Sequence, residues 1–368
     1  MKVSAPGKLM LSGEWSVLEV GCPCIVMAVD RYCSASIKAS KTITLDAPDV
    51  GLNKIEAEFD GTKLNWKKEL NPEEKGKIIV SEKAIELTLQ YLAQKGKKIK
   101  NFCIKTDSSQ AIAKTGKGAK IGFGSSAAVS AAIVAALLKE HGISIKEKKQ
   151  KELIYKIAST AHYLAQGKVG SAFDIAAATF GNAIVYKRFD PNWLIAEINS
   201  SKKISEIMDS EWPAFSAEEL ALPKGFNLNV CYTGYSASTK ELILKLNSFK
   251  ETQKERYWQI INGIKSITEQ LIEAIKAEEK QKIIELLNEN RKLLQQLSNE
   301  SQNNLETKEL ALIADIAQQY GAAGKFSGAG GGDCGIAVSF DKKIGKKIEA
   351  EWEKQGLMPI KIKISRKE

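Results

Sequence analysis

Residues 120–128 read KIGFGSSAA, and these small residues stand directly before an apolar run, 126–138, that predicts a buried helix. Glycines let backbone N–H groups approach an anion, and the N-terminus of a helix adds partial positive charge. The serine hydroxyls can bind phosphate oxygens or a metal ion. The segment therefore predicts a phosphate-binding loop.

Three other interpretations of this loop are weaker. The chain contains no G-x-x-x-x-G-K-[ST] pattern, so the loop is not a Walker A motif. As G-x-G-x-x-A it could be a dinucleotide fingerprint, but a lysine- and glycine-rich loop precedes it instead of a clear strand, and it lies far from the N-terminus. A helix that needs small residues only for packing would explain the alanines but not the Gly-x-Gly-Ser-Ser order.

Two further motifs carry residues suited to phosphate chemistry. Residues 326–335 read FSGAGGGDCG and lead into a probable strand, and so many glycines favour a close backbone approach over a plain tight turn. Near the N-terminus, Lys8 follows Pro-Gly, and Glu14 stands in a Gly-Glu-Trp sequence. Lys8 could neutralise a transferring phosphoryl group and Glu14 could hold a substrate, although alone this segment would be only a strand and a turn.

Composition limits the classes of function. The 368 residues are enough for two packed domains, and 43% of them are apolar. The net charge of +10 fits a nucleic-acid binder or an enzyme for anionic substrates, but aromatic residues are not interleaved with the lysine cluster at 95–120, so we expect no nucleic-acid partner. No apolar run of about 18 residues and no signal peptide are visible, which predicts a cytoplasmic protein without a membrane partner. The six scattered cysteines are expected to be free thiols.

Hydrophobic periodicity predicts mixed secondary structure. We expect strands near 34–45, 102–106, 183–186 and 228–232, a helix at 147–166 with His162 in the core, and helices through most of 238–319. One face of the last region recurs at helical spacing and is expected to pack: Ile283, Leu286, Leu287, Asn290, Leu293, Leu294 and Leu297. The Asp190-Pro191-Asn192 turn predicts a domain boundary, which gives domains of 1–190 and 191–368.

The three motifs, at 6–18, 120–128 and 325–335, resemble in order and spacing those of the GHMP kinase superfamily. This resemblance covers nearly the whole chain. It implies an α+β two-domain fold, with an N-terminal nucleotide-binding domain like domain 2 of ribosomal protein S5 and a ferredoxin-like C-terminal domain. The active site would lie between the two domains.

Segments 170–177, 185–191 and 232–239, with the Asp-Cys pair in the third motif, resemble the phosphomevalonate kinase branch of that superfamily. The branch implies transfer of the γ-phosphoryl group of ATP to the phosphate of (R)-5-phosphomevalonate, in the mevalonate route to isoprenoids. The alternatives are a mevalonate kinase, a diphosphomevalonate decarboxylase, or a catalytically silent binding protein of the same fold. The expected partners are ATP and a small anionic substrate, and the expected state is a monomer or a homodimer.

The resemblance also implies roles for individual residues. The catalytic groups would be Lys8, Asp174 and Lys120. The ATP phosphates would be held by Gly122, Gly124, Ser125, Ser126 and Ala127. The substrate would be bound by Glu14, Ser171, Arg188, Ser236, Gly328, Ala329, Gly330 and Gly331, with Lys105, Lys168 and Lys187 as further candidates for its phosphate.

The expected cofactors are ATP and Mg²⁺. Mevalonate kinase holds magnesium with a helix glutamate upstream of its aspartate, but here no acidic residue lies between Glu152 and Asp174. Ser126 is therefore the expected protein ligand of the metal. Two details of the aspartate segment stay open: Asp174 could simply be a helix N-cap, and Ala172 stands where the family usually has a glycine.

Overall fold

The computed structural model describes residues 1–111, 122–167, 170–236 and 239–365, without the side chain of Lys240. The N-terminal part contains an eight-stranded sheet. Its strands are β1 (Lys2–Ser12), β2 (Pro23–Ala39), β3 (Ile43–Ala47), β4 (Leu52–Phe59), β5 (Leu64–Trp66), β6 (Phe102–Asp107), β7 (Ala183–Lys187) and β8 (Ser216–Glu219). The strand order is β5-β4-β3-β6-β2-β7-β8, and β1 also pairs with β2.

Six helices of the described chain accompany this sheet. They are α1 (Pro72–Gln94), α2 (Ser125–Glu140), α3 (Lys148–Ala165), α4 (Phe173–Phe180), α5 (Pro191–Asn199) and α6 (Ile204–Asp209). The alanine-rich helix α2 contacts β1, β2, α1, α3 and α4, so it lies at the centre of this half of the molecule. Alanine side chains allow such close contacts on several sides of one helix.

The C-terminal part contains a four-stranded antiparallel sheet with helices. Its strands are β9 (Asn227–Tyr232), β10 (Ala323–Phe326), β11 (Cys334–Ser339) and β12 (Met358–Ile360), in the order β10-β11-β9-β12. Its helices are α7 (Thr239–Thr252), α8 (Lys254–Lys276), α9 (Lys280–Glu300), α10 (Lys308–Gln319) and α11 (Lys342–Lys354). This order and connectivity match the ferredoxin-like arrangement.

The two parts of the molecule are joined through β1 and β2, because both strands are buried on both faces. Met10 and Val26 point toward the helices of the N-terminal part, whereas their neighbours Leu9 and Ile25 pack with Leu271 of α8. Successive side chains of a strand point to opposite faces. Each face of these two strands therefore belongs to a different core.

A C-terminal segment, 361–365, returns to the N-terminal sheet. The backbone N–H of Asp30 donates to the Lys363 carbonyl over 2.9 Å, and that of Ser365 donates to the Ala28 carbonyl over 2.8 Å. The Tyr32 hydroxyl lies 2.8 Å from the Ser365 hydroxyl. These bonds attach the segment to β2.

The α+β two-domain fold predicted from the sequence is confirmed, and most of the predicted strands and helices occur within a few residues of their expected positions. The single strand expected near 34–45 is wrong, because residues 34–39 end the long strand β2 and β3 begins at Ile43. Of the predicted packing face on α9, all residues are buried except Leu293, which is half-buried. The boundary at residue 190 remains a prediction. Asp190 caps α5 by accepting from the Asn192 N–H over 2.8 Å, and β8 pairs with β7, so the N-terminal sheet uses the chain as far as Glu219.

Candidate active site

All three glycine-containing motifs border one cavity of about 440 Å³ between the two parts of the molecule. The predicted residues that line it are Lys8, Glu14, Gly122, Gly124, Ser125, Ser126, Ser171, Asp174, Ser236, Gly328, Ala329 and Gly330. Residues hundreds of positions apart in the chain are thus brought together. The cavity is the candidate active site.

The phosphate loop ends at the N-terminus of α2. Gly124 is the N-cap in a left-handed conformation, with φ of 76°, which glycine adopts without strain. The first N–H groups of a helix have no intrahelical acceptor, so those of Ser125, Ser126 and Ala127 can bind an anion. Ser126 is exposed and Ser125 half-buried, whereas the Ala127 side chain is buried. Any contribution of Ala127 therefore comes from its backbone.

Lys8 and Asp174 flank this helix N-terminus from the other side. The Lys8 ammonium donates to the Gly122 carbonyl over 2.9 Å, and a Cβ on Gly124 would lie 3.5 Å from the Asp174 Cβ. Within the described residues, Lys8 and Asp174 do not form an ion pair with each other. Lys8 is instead positioned by the phosphate loop itself.

Asp174 lies in the first turn of α4, where its Oδ1 accepts from the Ile175 N–H over 2.9 Å. The N-cap of α4 is Ala172, with φ of 59° and ψ of 16°, so the alternative of Asp174 as an N-cap is wrong. A carboxylate in the first turn interacts favourably with the helix dipole. Ala172, which stands where the family usually has a glycine, thus adopts a left-handed conformation two residues before the candidate catalytic group Asp174.

The third motif places backbone close to Lys8. A Cβ on Gly328 would lie 3.7 Å from the Lys8 ammonium nitrogen. Gly330 has φ of 76°, and a Cβ there would lie 2.4 Å from the Leu305 carbonyl oxygen, so no other residue fits without rearrangement. The Ser327 hydroxyl donates to the Met10 carbonyl over 2.9 Å and fixes this loop to β1.

Glu14 and Lys325 form a buried ion pair beside the cavity. The Lys325 ammonium contacts the Glu14 carboxylate, and their side chains are 1% and 0% exposed. Burial raises the pKa of Glu14 and lowers the pKa of Lys325, while their mutual attraction opposes both shifts. Glu14, predicted to bind substrate, therefore already has a cationic partner, and Lys325 is a residue that sequence reasoning missed.

Asp333 is a second missed residue. Its Oδ1 accepts from the Gly122 N–H over 3.2 Å and from the Ser236 hydroxyl over 2.5 Å, which joins the phosphate loop to the C-terminal part. The predicted substrate residue Ser236 thus lines the cavity with its hydroxyl directed at Asp333. Asp333 had a sequence signal, since it is the acidic residue within the third glycine motif.

One wall of the cavity is a polar stripe of α3, which we define as Ser159, His162, Tyr163 and Gln166. The spacing i, i+3, i+4, i+7 puts the four side chains on one helix face. His162 is buried as predicted, but it lines the cavity and its Nε2 lies 3.1 Å from the Gln166 amide nitrogen. The stripe carries no carboxylate.

Some predicted residues do not line the cavity. Arg188 is 8% exposed and donates to the Leu18 carbonyl over 2.8 Å, so it supports the cavity wall at Leu18. The Gly331 N–H donates to the Leu305 carbonyl over 2.7 Å. Lys105 and Lys187 also lie elsewhere. The predictions for Lys120 and Lys168 fall outside the described residues.

The described residues have three further features. No group of three or more histidine, cysteine, aspartate or glutamate residues is arranged to hold a metal ion there. Within the same ranges, the helices are all too short or too polar to cross a bilayer. The six cysteines are free and buried.

Comparison with known proteins identifies the class. Residues 81–182 match the GHMP kinases N terminal domain, and residues 271–356 match the GHMP kinases C terminal domain, together just over half of the chain. The chain therefore belongs to the GHMP kinase family and is an ATP-dependent kinase, as the motifs predicted.

Its more specific likeness is to phosphomevalonate kinases. The phosphomevalonate kinase of Streptomyces sp. (strain CL190) is 27% identical over 376 residues, which cover 97% of this chain and 95% of that protein. The Streptococcus pneumoniae phosphomevalonate kinase, solved with phosphomevalonate and AMPPNP, shares the fold with a TM-score of 0.84 at 24% identity and 99% coverage of both chains. A Lin0012 protein from Listeria innocua has a TM-score of 0.90 at 31% identity, over 99% of this chain and 98% of that one.

Proposed function

We propose that this kinase transfers the γ-phosphoryl group of ATP to the phosphate of (R)-5-phosphomevalonate and so forms diphosphomevalonate, an intermediate of the mevalonate route to isoprenoids. The observation that carries the proposal is the convergence of Lys8, Asp174, the N-terminus of α2 and Gly328 on one cavity. The full-length likeness to a phosphomevalonate kinase supports the choice of acceptor.

ATP is proposed to bind with its phosphates at Gly122, Gly124 and the first turn of α2. Backbone N–H groups and the helix dipole stabilise the phosphate charge there. Lys8 lies between this loop and Gly328, so its ammonium group faces charge that develops on the phosphoryl group during in-line transfer. Lys120, which lies outside the described residues, is proposed to add a second positive charge.

Magnesium fits the donors beside the phosphate loop. Mg²⁺ prefers oxygen ligands and commonly binds through one or two protein groups plus substrate phosphates. The exposed hydroxyl of Ser126 is such a donor, next to the half-buried Ser125. When bound, the ion would neutralise charge on the transferring phosphates.

The acceptor is proposed to lie between Lys8 and the polar stripe of α3. Ser159 and Gln166, the C-cap of α3, are seven positions apart, roughly 10 Å at 1.5 Å per residue, which is the scale of an extended phosphorylated six-carbon acid. Ser171 also lines the cavity and is 5% exposed. Arg188 donates a hydrogen bond to the carbonyl of Leu18, which lines the cavity as well. A phosphate acceptor is largely deprotonated at neutral pH, because its second pKa is about 6. With such an acceptor, Asp174 orients Lys8 and the substrate and need not remove a proton.

The test is ADP release from magnesium–ATP with 5-phosphomevalonate, mevalonate or diphosphomevalonate supplied separately. We expect turnover with 5-phosphomevalonate alone, and a loss of about 10²–10³ in kcat for Lys8→Met. Asp174→Asn is the discriminating variant. With a phosphate acceptor we expect about tenfold loss or less, whereas loss of a general base for an alcohol costs about 10²–10⁴.

The opposite outcomes would change the assignment. Turnover on mevalonate with a large Asp174→Asn effect would make the protein a mevalonate kinase, and phosphate release with loss of carbon dioxide from diphosphomevalonate would make it a decarboxylase. ATP binding without turnover on any acceptor would favour a silent binding protein. Its oligomeric state, monomer or homodimer, is a separate proposal that sedimentation would test.

A further inference from the structure

Three carboxylates line the described part of the cavity, and only one of them has no assigned task. Glu14 is neutralised by Lys325. Asp174 accepts from the backbone of its own helix beside Lys8. Asp333 belongs to the third glycine motif, and the described residues contain no lysine or arginine paired with it.

The Asp333 carboxylate lies directly against the phosphate loop. Its Oδ1 accepts from the Gly122 N–H over 3.2 Å, and a Cβ on Gly122 would lie 2.5 Å from its Oδ2. Such an N–H group is a typical phosphate donor. A carboxylate and a nucleotide phosphate placed side by side repel each other, because both are anionic.

A divalent cation between them removes this repulsion. Magnesium bound with a nucleotide commonly takes one or two carboxylates together with phosphate oxygens. The polar stripe of α3 offers no carboxylate to the cavity, whereas Asp333 contacts the phosphate loop at Gly122 and has no lysine or arginine partner within the described ranges. Ser125 and Ser126 supply hydroxyl oxygens from the same loop.

We propose that Asp333 is a ligand of the metal ion that accompanies ATP, and that its carboxylate rests on Gly122 and Ser236 when no nucleotide is bound. The inference rests on the proposed use of magnesium–ATP. It adds a ligand from the C-terminal part of the molecule to the serine from the N-terminal part. Metal–nucleotide binding then draws both parts of the site together.

Asp333→Asn is the central variant. Asp333 has φ of 57°, and asparagine tolerates this left-handed conformation better than most residues, so the variant preserves the backbone. Ser236→Ala is the matched control, because it removes one hydrogen bond to Asp333 and leaves the carboxylate in place.

The measurement is the Kd of a non-hydrolysable ATP analogue by calorimetry, with magnesium and with EDTA. The wild-type protein should bind more tightly with magnesium. In Asp333→Asn we expect this enhancement to fall by about tenfold or more, while metal-free affinity stays equal or improves because an anion has been removed. Ser236→Ala should keep the enhancement. In addition, Mn²⁺ bound in the nucleotide complex should change its electron paramagnetic resonance spectrum in Asp333→Asn but not in Ser236→Ala.

Other results would refute the inference. Equal weakening of binding with and without magnesium would make Asp333 only a structural link between Gly122 and Ser236. An unchanged enhancement and manganese spectrum would remove it from the metal site, although the kinase assignment would survive. If the wild-type protein binds no nucleotide at all, the proposed function itself fails.

Discussion

The buried pair of Glu14 and Lys325 allows a quantitative test of what holds the two parts of the molecule together. Replacing Lys325 with methionine keeps the length of the side chain but leaves Glu14 buried without its partner. Breaking a buried ion pair in this way costs about 3–5 kcal/mol of unfolding free energy. With both side chains almost fully excluded from water, we expect Lys325→Met to fall within this range.

The double variant separates the interaction energy between Glu14 and Lys325 from the effect of losing each side chain alone. If both residues are replaced by methionine, no unpaired charge remains, so the double variant should lose much less than the sum of the single variants, with a coupling of about 2 kcal/mol or more. Chemical denaturation of Lys325→Met, Glu14→Met and the double variant measures this directly.

The pH dependence of the unfolding free energy tests independently whether the unpaired charge of Glu14 causes the loss of stability. Burial raises the pKa of Glu14 above 4.5, and without Lys325 only backbone hydrogen bonds from Glu14 and Gly328 oppose this shift. A carboxyl whose folded pKa exceeds its unfolded pKa contributes stability at low pH that is lost as pH rises through the folded value. Lys325→Met should therefore approach wild-type stability as pH falls from 7 toward 4.5. Additive single effects, or a deficit that stays constant over this range, would refute the reasoning.

Three further predictions concern stability. Ala172→Gly relieves a left-handed alanine and should raise the unfolding free energy by about 0.5–1 kcal/mol in thermal or chemical denaturation. Gly330→Ala should destabilise by at least about 1 kcal/mol more than Gly321→Ala, which has a similar φ of 73° but open space around its Cβ; equal losses would contradict the steric argument. Burial raises the pKa of Cys33 and Cys231 from 9.0 to about 12, so stability should fall between pH 9 and 12 by up to about 1.4 kcal/mol per pH unit and thiol, a loss that Cys33→Ala should reduce.

Local sequence patterns predicted much of the fold. The apolar spacing on α9 predicted its buried face, because a helix shows the same side to its neighbour every three to four residues. The three glycine motifs predicted a phosphate site, since glycine and helix N-termini act through the backbone near them. Both signals are complete within a short stretch of sequence.

Contacts between distant segments could not be predicted in this way. Gly122 and Asp333 are 211 positions apart, and Glu14 and Lys325 are 311 apart. Nothing in either local sequence specifies its partner. His162 shows the related difficulty, because an apolar helix predicts burial but does not distinguish a core from a cavity wall.

The segment 361–365 has a consequence for synthesis of the protein. It completes hydrogen bonds to β2, which leaves the ribosome long before residues 361–365 do. Domains generally fold as units while the chain emerges, but β2 lacks these partners at Ala28 and Asp30 until residues 361–365 have left the ribosome. In the newly made N-terminal sheet, these backbone groups therefore remain unpaired while the second half of the chain is translated. This is the period in which a chaperone could bind the sheet.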